Sequence, residues 1–196
     1  SAYLPEWDFD GIGPLQAGQG YQIKLLNAND IVIAGDYLAP EQNSISITQG
    51  WNLIGYLRTE SAAADAVLAE MNTSGNLIIA KDYNGQAYLP EWSFNGIGDM
   101  NPGEGYQLKT INADVLQYLP NNQSYRMSTL EVTENHVSHF AKVVPTDNNM
   151  TMVIEDAAWD VLPSEGAEIA AFDKDGHQVG SAIYSSPVTV LAVWGD

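Results

Sequence analysis

The sequence predicts a mainly β protein built from small repeated modules, and three observations lead to this prediction. Residues 2–29 return as residues 87–114, so Ala2 aligns with Ala87 and every later position follows with the same offset. Short runs rich in β-branched and aromatic residues alternate with turn residues, as strands do. Only one stretch has helical periodicity. We therefore expect β-rich α+β repeat modules with one short helix, followed by an antiparallel β-sandwich-like unit.

The repeat divides the chain into three predicted units. Residues 45–127 form a complete copy, residues 1–44 form the C-terminal half of a repeat module, and residues 128–196 form the β-sandwich-like unit, which we expect to be truncated. The residues shared by the two copies are mainly aromatic residues, proline and glycine: Tyr3/Tyr88, Pro5/Pro90, Glu6/Glu91, Trp7/Trp92, Phe9/Phe94, Gly11/Gly96, Gly13/Gly98, Gly18/Gly103, Gly20/Gly105, Tyr21/Tyr106 and Lys24/Lys109.

The first half of the complete copy predicts two strands and a helix. Residues 44–47 and the apolar run 50–57 have strand length and composition. Residues 61–71 predict a helix with Ser61 as its N-cap, because apolar residues recur there with helical spacing and Gly75 follows. The residues that this helix would place on one face are Ala64, Val67, Leu68 and Met71.

The second half predicts further strands joined by glycine-rich turns. Residues 77–82 form a strand, and Asn84-Gly85 suits a two-residue hairpin turn with positive φ at both positions. Pro90 lacks a backbone donor, so the strand beginning at Ala87 lies at an edge or leaves the sheet there. Residues 106–109 alternate as a half-buried strand does, and residues 115–119 form the last strand. The glycines of this half mark bends and close backbone approaches: Gly96, Gly98, Gly103 and Gly105.

The half copy at residues 1–44 contains no counterpart of the Gly50-Trp51 strand or of the helix. We expect it to expose apolar surface and unpaired strand edges, which favour association. Because the chain opens inside a repeat copy and stops at Trp194-Gly195-Asp196, we expect it to be a piece of a longer polypeptide.

The last unit predicts about five strands separated by turn-forming clusters that contain proline, glycine, asparagine or aspartate. The spacing suits an antiparallel sandwich. The predicted strands are residues 140–144, 150–154, 168–172, 178–184 and 188–194.

Composition argues against several classes of function. The formal net charge of -18 and the pI near 4.1 would repel a phosphate backbone, so we expect no nucleic-acid partner. The chain has no cysteine, which excludes disulfides and thiolate sites. No apolar run approaches the roughly 20 residues of a membrane helix, so we expect no membrane insertion. Strong acidity suits an extracellular or divalent-rich setting, where counterions relieve self-repulsion.

Two motifs carry a resemblance. Gly50-Trp51-Asn52-Leu53-Ile54, followed by residues 103–109 (GEGYQLK), resembles the GWNLI…GxGY modules of large bacterial surface and secreted proteins. The match covers most of residues 45–112, and residues 2–27 match its later half. The last unit is similar to a β-module that accompanies these repeats in giant proteins exported through the type 9 secretion pathway. Its matching segments are residues 148–151, 166–169, 172–173, 176, 179–182 and 192–196.

The resemblance implies an extracellular, bacterial cell-surface location and a role in adhesins, filaments or appendages. It implies no catalytic residues. We therefore expect a non-enzymatic structural or adhesive segment without a required cofactor. Its expected partners are other copies or segments of the same large protein, in a homo-oligomer or filament. Trp51, Trp92, Tyr106 and Phe94 are the residues that we expect to hold the core of the complete module.

The duplicated Pro-Glu-Trp is the main candidate for a ligand site. An indole beside a carboxylate can stack on a sugar ring and accept its hydroxyl hydrogen bonds, so Glu6 with Trp7, and Glu91 with Trp92, form the alternative prediction of a carbohydrate-binding module for surface glycans. The structural interpretation is that both indoles cover the small core. Nothing marks the paired carboxylates of a glycosidase, and the glycine spacing does not match a dinucleotide fingerprint.

Acidic turns are the candidate metal sites, with calcium as the fitting ion. Asp173 and Asp175 stand in Asp-Lys-Asp-Gly, which resembles the start of a calcium loop but lacks the later ligands, and a hairpin turn is the competing interpretation. Acidity alone also suggests Asp8, Asp10 and Asp99. His136 and His139 form HxxH, but this odd spacing on a strand points them to opposite faces, so we do not expect zinc.

Overall fold

The computed structural model describes residues 1–125, 139–141, 143–146 and 148–195, and within these ranges the fold is mainly β, as predicted. The strands are β1 Tyr3–Leu4, β2 Phe9–Asp10, β3 Ile45–Ile47, β4 Gly50–Gly55, β5 Ala62–Ala63, β6 Leu77–Lys81, β7 Ala87–Leu89, β8 Phe94–Asn95, β9 Asp99–Met100, β10 Gly105–Thr110, β11 Asp114–Leu116, β12 Asn149–Glu155, β13 Glu168–Phe172, β14 Gln178–Ile183 and β15 Val188–Trp194. The helices are α1 Ala64–Val67 and α2 Ala69–Thr73.

The complete copy is organised by a five-stranded antiparallel sheet in the order β4-β10-β6-β7-β8. Strand β10 is flanked on both sides, with Tyr106 opposite Ile54 in β4 and Leu108 opposite Ala80 in β6. Burial alternates along β10, which confirms the alternation predicted for residues 106–109. Two short pairs, β3 with β11 and β5 with β9, complete the copy.

The core of this copy contains one side of the helices and the inner faces of the strands. Tyr56 and Tyr118 meet edge to face with their ring centroids 5.3 Å apart. Burial of each large side chain contributes about 1.5 to 3 kcal/mol. The buried members are Ile45, Ile47, Ile54, Tyr56, Ala64, Val67, Leu68, Met71, Leu77, Ala80, Tyr88, Met100, Tyr106, Leu108, Leu116 and Tyr118.

The predicted helix over residues 61–71 is wrong at its start. Ser61 does not cap it, because the Ser61 Oγ hydroxyl is hydrogen-bonded to Asn101 Oδ1 at 2.8 Å, and the next two residues form β5 against β9. The helix then breaks at Leu68 into α1 and α2. The predicted apolar face is nevertheless buried, and Gly75 follows the helix with φ of 68°.

The predicted aromatic core is correct for Tyr106 and wrong for Trp51. Tyr106 is buried, whereas Trp51 is 53% exposed and has the Lys109 ammonium 5.6 Å from its ring centroid. Trp92 and Phe94 are half-buried. Along β4 the buried side chain is Ile54, whereas Trp51 is exposed.

Turns and strand ends in the second half were predicted only in part. Pro90 begins a 3-10 turn, Pro90–Trp92, directly after β7 ends, so the chain leaves the sheet as expected. At the β6–β7 turn only Gly85 has positive φ, so the predicted Asn84-Gly85 pair of positive φ angles is wrong. The last strand is Asp114–Leu116, shorter than predicted.

The C-terminal unit consists of two antiparallel strand pairs, β12 with β15 and β13 with β14. The pairs approach closely at Gly180, where an added Cβ would lie 2.5 Å from the Ala192 carbonyl oxygen. The predicted strand at residues 140–144 is wrong: residues 140, 141, 143 and 144 are described and lie in no strand. The unit contacts the complete copy through a hydrogen bond from Lys81 Nζ to Asn149 Oδ1.

Among the described residues, no helix is long and apolar enough to cross a membrane.

Candidate functional site

The two copies of the repeat share the same local geometry. In each, Pro-Glu-Trp forms a 3-10 turn, Pro5–Trp7 or Pro90–Trp92. The next residue adopts the left-handed conformation, with φ of 49° at Asp8 and 52° at Ser93. Left-handed residues other than glycine are uncommon, so their recurrence shows that the turn is a property of the repeated sequence.

Hydrogen bonds within each copy also recur. Asp10 Oδ1 accepts the Gly13 amide at 2.8 Å, and Asn95 Oδ1 accepts the Gly98 amide at 3.0 Å. The equivalent tyrosine hydroxyls accept a backbone amide five residues earlier: Gln16 N to Tyr21 and Asn101 N to Tyr106, both at 2.8 Å. Short-range bonding is therefore present in the half copy even though its sheet is missing.

Equivalent apolar side chains of the two copies differ strongly in their exposed fraction. Leu15 is 57% exposed whereas its equivalent Met100 is 0% exposed, and Ile23 is 63% exposed against 0% for Leu108. Residues 21–25 belong to no strand, although their equivalents, residues 106–110, form all but the first residue of β10. Further pairs that are exposed in the half copy and buried in the complete copy are Tyr3/Tyr88, Ile31/Leu116 and Ile33/Tyr118.

A backbone contact joins the half copy to the complete copy at the outer edge of β4. The Gly20 amide donates to the Leu53 carbonyl at 3.0 Å, and the Gly55 amide donates to the Gly18 carbonyl at 3.0 Å. Gln19 pairs with Ile54 in an antiparallel bridge. We call residues 18–20 and Leu53–Gly55 the copy joint.

Glycine is required at this joint because neighbouring atoms of the complete copy approach its Cα atoms closely. A Cβ added at Gly20 would lie 2.6 Å from the Ile54 carbonyl oxygen, and one added at Gly18 would lie 2.8 Å from Ile45 Cγ1. At the equivalent Gly105 the nearest heavy atom would lie at 3.4 Å, an ordinary contact. The sequence predicted close backbone approaches at the glycines of the complete copy, including Gly103 and Gly105, but not that their equivalents Gly18 and Gly20 join the two copies. The recurrence of Gly-x-Gly in both copies was the available signal.

The predicted ligand-binding residues lie at the corner after equivalent strands of the two copies, β1 and β7. Trp7 is 76% exposed and Trp92 is half-buried. Glu6 and Glu91 are both exposed. The corners therefore present an indole beside a carboxylate on the surface, and Trp7 does not cover a core. Neither motif lines the large cleft described below.

The predicted metal ligands Asp173 and Asp175 lie in the turn between β13 and β14. Asp173 accepts the amides of Asp175 and His177 at 2.9 and 2.8 Å, and its other oxygen lies 3.1 Å from His177 Nδ1. These bonds lower the pKa of the Asp173 carboxyl, with the His177 amide as the main cause. Asp175 pairs with Lys174 at 2.6 Å. The arrangement is that of a bonded hairpin turn.

The other acidic candidates lie in local turns or in a short strand. Asp10 bonds the amides of its own turn, Asp8 occupies the left-handed position, and Asp99 lies in β9. Among the described residues, no group of three or more His, Asp or Glu side chains could hold a metal ion. His136 lies outside the described residues, whereas the His139 amide donates to Glu168 at 2.7 Å.

A cleft of about 970 Å³, lined by both polar and apolar residues, lies on the helix side of the complete copy. Arg58 lines it and was missed by sequence reasoning. Its side chain is buried, and Nη2 donates to the carbonyls of Pro120 and Gln123 at 3.3 and 2.6 Å. The guanidinium carbon lies 5.0 Å from the Tyr125 ring centroid. Arg58 therefore holds the segment after β11 against the module.

The chain matches no protein-family model, no curated protein and no solved structure. The resemblance to secreted repeat modules consequently rests on the sequence motifs themselves.

Proposed function

We propose that this chain is a non-enzymatic structural segment of a large extracellular protein on a bacterial surface, in which consecutive repeat copies are coupled through backbone pairing. The copy joint is the observation that carries the proposal. Two backbone hydrogen bonds, which together form the antiparallel bridge between Gln19 and Ile54, connect the half copy to β4. A flexible linker would leave the copies independent, whereas edge pairing sets their spacing and gives length to an array.

Charge and sequence resemblance support the same role. A net charge of -18 keeps neighbouring chains apart and soluble and suits counterion-rich surroundings. The GWNLI…GxGY motifs resemble those of proteins exported by the type 9 pathway, which implies adhesins, filaments or appendages. In this role the partners are further copies or segments of the same protein.

A distance measurement between copies tests the coupling. Because the chain has no cysteine, Leu15→Cys and Glu70→Cys provide two exposed labelling sites, one in the half copy and one on α2. Spin labels at these sites should give one narrow distance distribution by pulsed electron paramagnetic resonance. A broad distribution in the otherwise unchanged chain would contradict the proposal.

The repeat supplies a matched pair of variants for this experiment. Gly20→Ala places a methyl group 2.6 Å from the Ile54 carbonyl oxygen, whereas at Gly105 the nearest atom lies at 3.4 Å. We expect Gly20→Ala to broaden the distances and Gly105→Ala to leave them narrow. Equal behaviour of the two variants would show that the joint does not set the spacing.

Assembly and location need separate measurements. Light scattering and electron microscopy, with and without calcium, should show elongated particles, oligomers or fibres. An antibody against the chain should label intact cells that produce it. A compact monomer unaffected by calcium, or labelling only after lysis, would count against a surface assembly.

The exposed Trp7 favours carbohydrate binding as a second candidate function. A stacking platform must be open to solvent, and this indole is 76% exposed beside exposed Glu6. A glycan array should then show binding that is lost in Trp7→Ala and reduced in Trp92→Ala. Trp51→Ala is the control, because Trp51 is also exposed, at 53%, but has no neighbouring Pro-Glu. Binding that persists in Trp7→Ala would exclude this function for the motif.

A further inference from the structure

A buried lysine lies where the complete copy meets the C-terminal unit. Lys81 is the last residue of β6 and is 7% exposed. Its Nζ contacts the side-chain oxygen of Asn149, the first residue of β12. Among the described residues, no carboxylate forms a salt bridge with this amine. Lys81 is therefore a buried amine whose partner is a carboxamide rather than a negative charge.

The charged form of such a lysine is unfavourable. An ammonium group that leaves water without a carboxylate partner loses hydration energy that nothing offsets. Burial accordingly lowers the pKa of Lys81, and the charge of the Asp82 carboxylate opposes this lowering only in part. The neutral amine, which carries a free lone pair, is the nucleophilic form of lysine. A desolvated nucleophile is thus in direct contact with an amide group.

The contact is held in place by the packing of the next turn. The β6–β7 turn lies against β15, where a Cβ added at Gly85 would be 2.7 Å from Ala192 Cβ and 2.9 Å from Trp194 Cζ2. Trp194 is 7% exposed and pairs with Asn149 in the β12–β15 ladder. Lys81 and Asn149 therefore lie on paired strands at a packed contact between the two units. Reacting groups that are well oriented in this way reach effective concentrations of about 10⁵ to 10⁸ M.

We propose that Lys81 and Asn149 form an intramolecular isopeptide bond. The lone pair of Lys81 Nζ attacks Asn149 Cγ and forms the new C–N bond. The Cγ–Nδ2 bond breaks, one proton passes from Nζ to Nδ2, and Nδ2 leaves as ammonia. No group is oxidised or reduced, and no co-reactant is consumed. The product is a neutral amide, so the cost of burying a charged amine is removed permanently.

The bond joins the middle of one sheet to the first strand of the next unit. Lys81 lies on β6, which is flanked by β10 and β7 in the five-stranded sheet, and Asn149 begins β12. A force that stretches the chain then passes directly from β6 to β12. This inference is independent of the copy joint and of a surface location, because it rests on the contact between the complete copy and the C-terminal unit.

Peptide mapping of the full chain tests the proposal. Trypsin does not cleave after an acylated lysine, so the chain, incubated folded and then denatured and digested, should yield residues 59–109 joined to residues 143–174. The mass of this branched peptide should be lower than the sum of its two parts by one ammonia. Complete cleavage after Lys81, with residues 143–174 recovered as an unmodified linear peptide, would overturn the proposal.

The position of the ammonia loss must be mapped, because a second reaction has the same mass change. Asn84-Gly85 and Asn95-Gly96 can each lose ammonia by forming a succinimide. That reaction joins no two segments of the chain. A loss of ammonia confined to residues 82–109, without a branched peptide, would therefore contradict the isopeptide bond.

Variants on both sides of the bond give a matched comparison. Lys81→Arg keeps the positive charge but removes the primary amine, and Asn149→Ala removes the carboxamide, so each should abolish the branched peptide. Near-UV circular dichroism shows whether each variant is folded, and one folded variant is sufficient. Lys109→Arg is the control, because Lys109 lies in the same sheet on β10, and it should retain the branched peptide. A branched peptide that persists in Lys81→Arg or Asn149→Ala would refute the assignment.

Discussion

Equivalent residues of the two copies show how far burial depends on the partner strand rather than on the residue itself. Ile23 and Leu108 are both apolar and occupy the same repeat position, yet only Leu108 is enclosed. Local sequence predicted which faces were apolar, but it could not predict burial, because burial depends on strands β4 and β6. Trp51 shows the same limit of local sequence. We expected its large indole in the core, but at its position on β4 the side chain is 53% exposed.

A matched pair of truncations tests whether burial at this repeat position depends on the partner strands. Leu108→Ala should lower the free energy of unfolding by about 2 to 5 kcal/mol, because it opens a cavity in the core. Ile23→Ala should change it by less than about 0.5 kcal/mol, as surface substitutions do. Denaturant unfolding of both variants is the measurement. A large loss for Ile23→Ala would mean that the half copy already has a buried core.

Elements were predicted well where sequence-local signals dominate and poorly where tertiary contacts compete with them. The alternation of β10 and the end of β7 at Pro90 follow from period and backbone chemistry. The start of the helix could not be predicted in this way, because Ser61 contacts Asn101 and β5 pairs with β9. The copy joint could not be predicted either, because Gly-x-Gly indicates a close backbone approach but does not identify the segment that approaches.

Asn76 is the side chain that ties the helix end to the β10–β11 turn. It is buried, accepts the Asn112 amide at 2.8 Å and donates to Asp114 Oδ2 at 2.7 Å. Asn76→Ala removes both of these hydrogen bonds, each of which contributes about 0.5 to 1.5 kcal/mol, so it should destabilise the complete copy by about 1 to 3 kcal/mol. Exposed Asn122→Ala is the control. Thermal unfolding checks both, and equal midpoints would refute this role.

The whole molecule combines an acidic surface with a core rich in buried tyrosine. Burial raises the pKa of Tyr56 to about 12, and burial likewise raises the pKa of Tyr106 and Tyr118. Their hydroxyls donate to Glu60 O, Glu104 Oε2 and Gly55 O at 2.8, 2.7 and 3.1 Å. The neutral hydroxyl is therefore the form that the fold accommodates.

Stability should consequently fall at alkaline pH. Unfolded tyrosines ionise near pH 10, below their folded pKa, so the stabilisation is complete below about pH 10 and is lost as pH rises towards the folded values. Each such tyrosine contributes a slope of about 1.4 kcal/mol per pH unit in that window. Urea unfolding across this range is the measurement, with Tyr118→Phe expected to reduce the slope. A flat profile would contradict the burial of these hydroxyls.

The copy joint also bears on how such a chain can evolve. Its hydrogen bonds use main-chain amides and carbonyls, and its side-chain requirement is the absence of a Cβ at Gly18 and Gly20. Copies whose surfaces have diverged can therefore remain neighbours without compensating substitutions at their contact. A duplicated copy that keeps glycine at these two positions would therefore keep the side-chain requirement of the same junction.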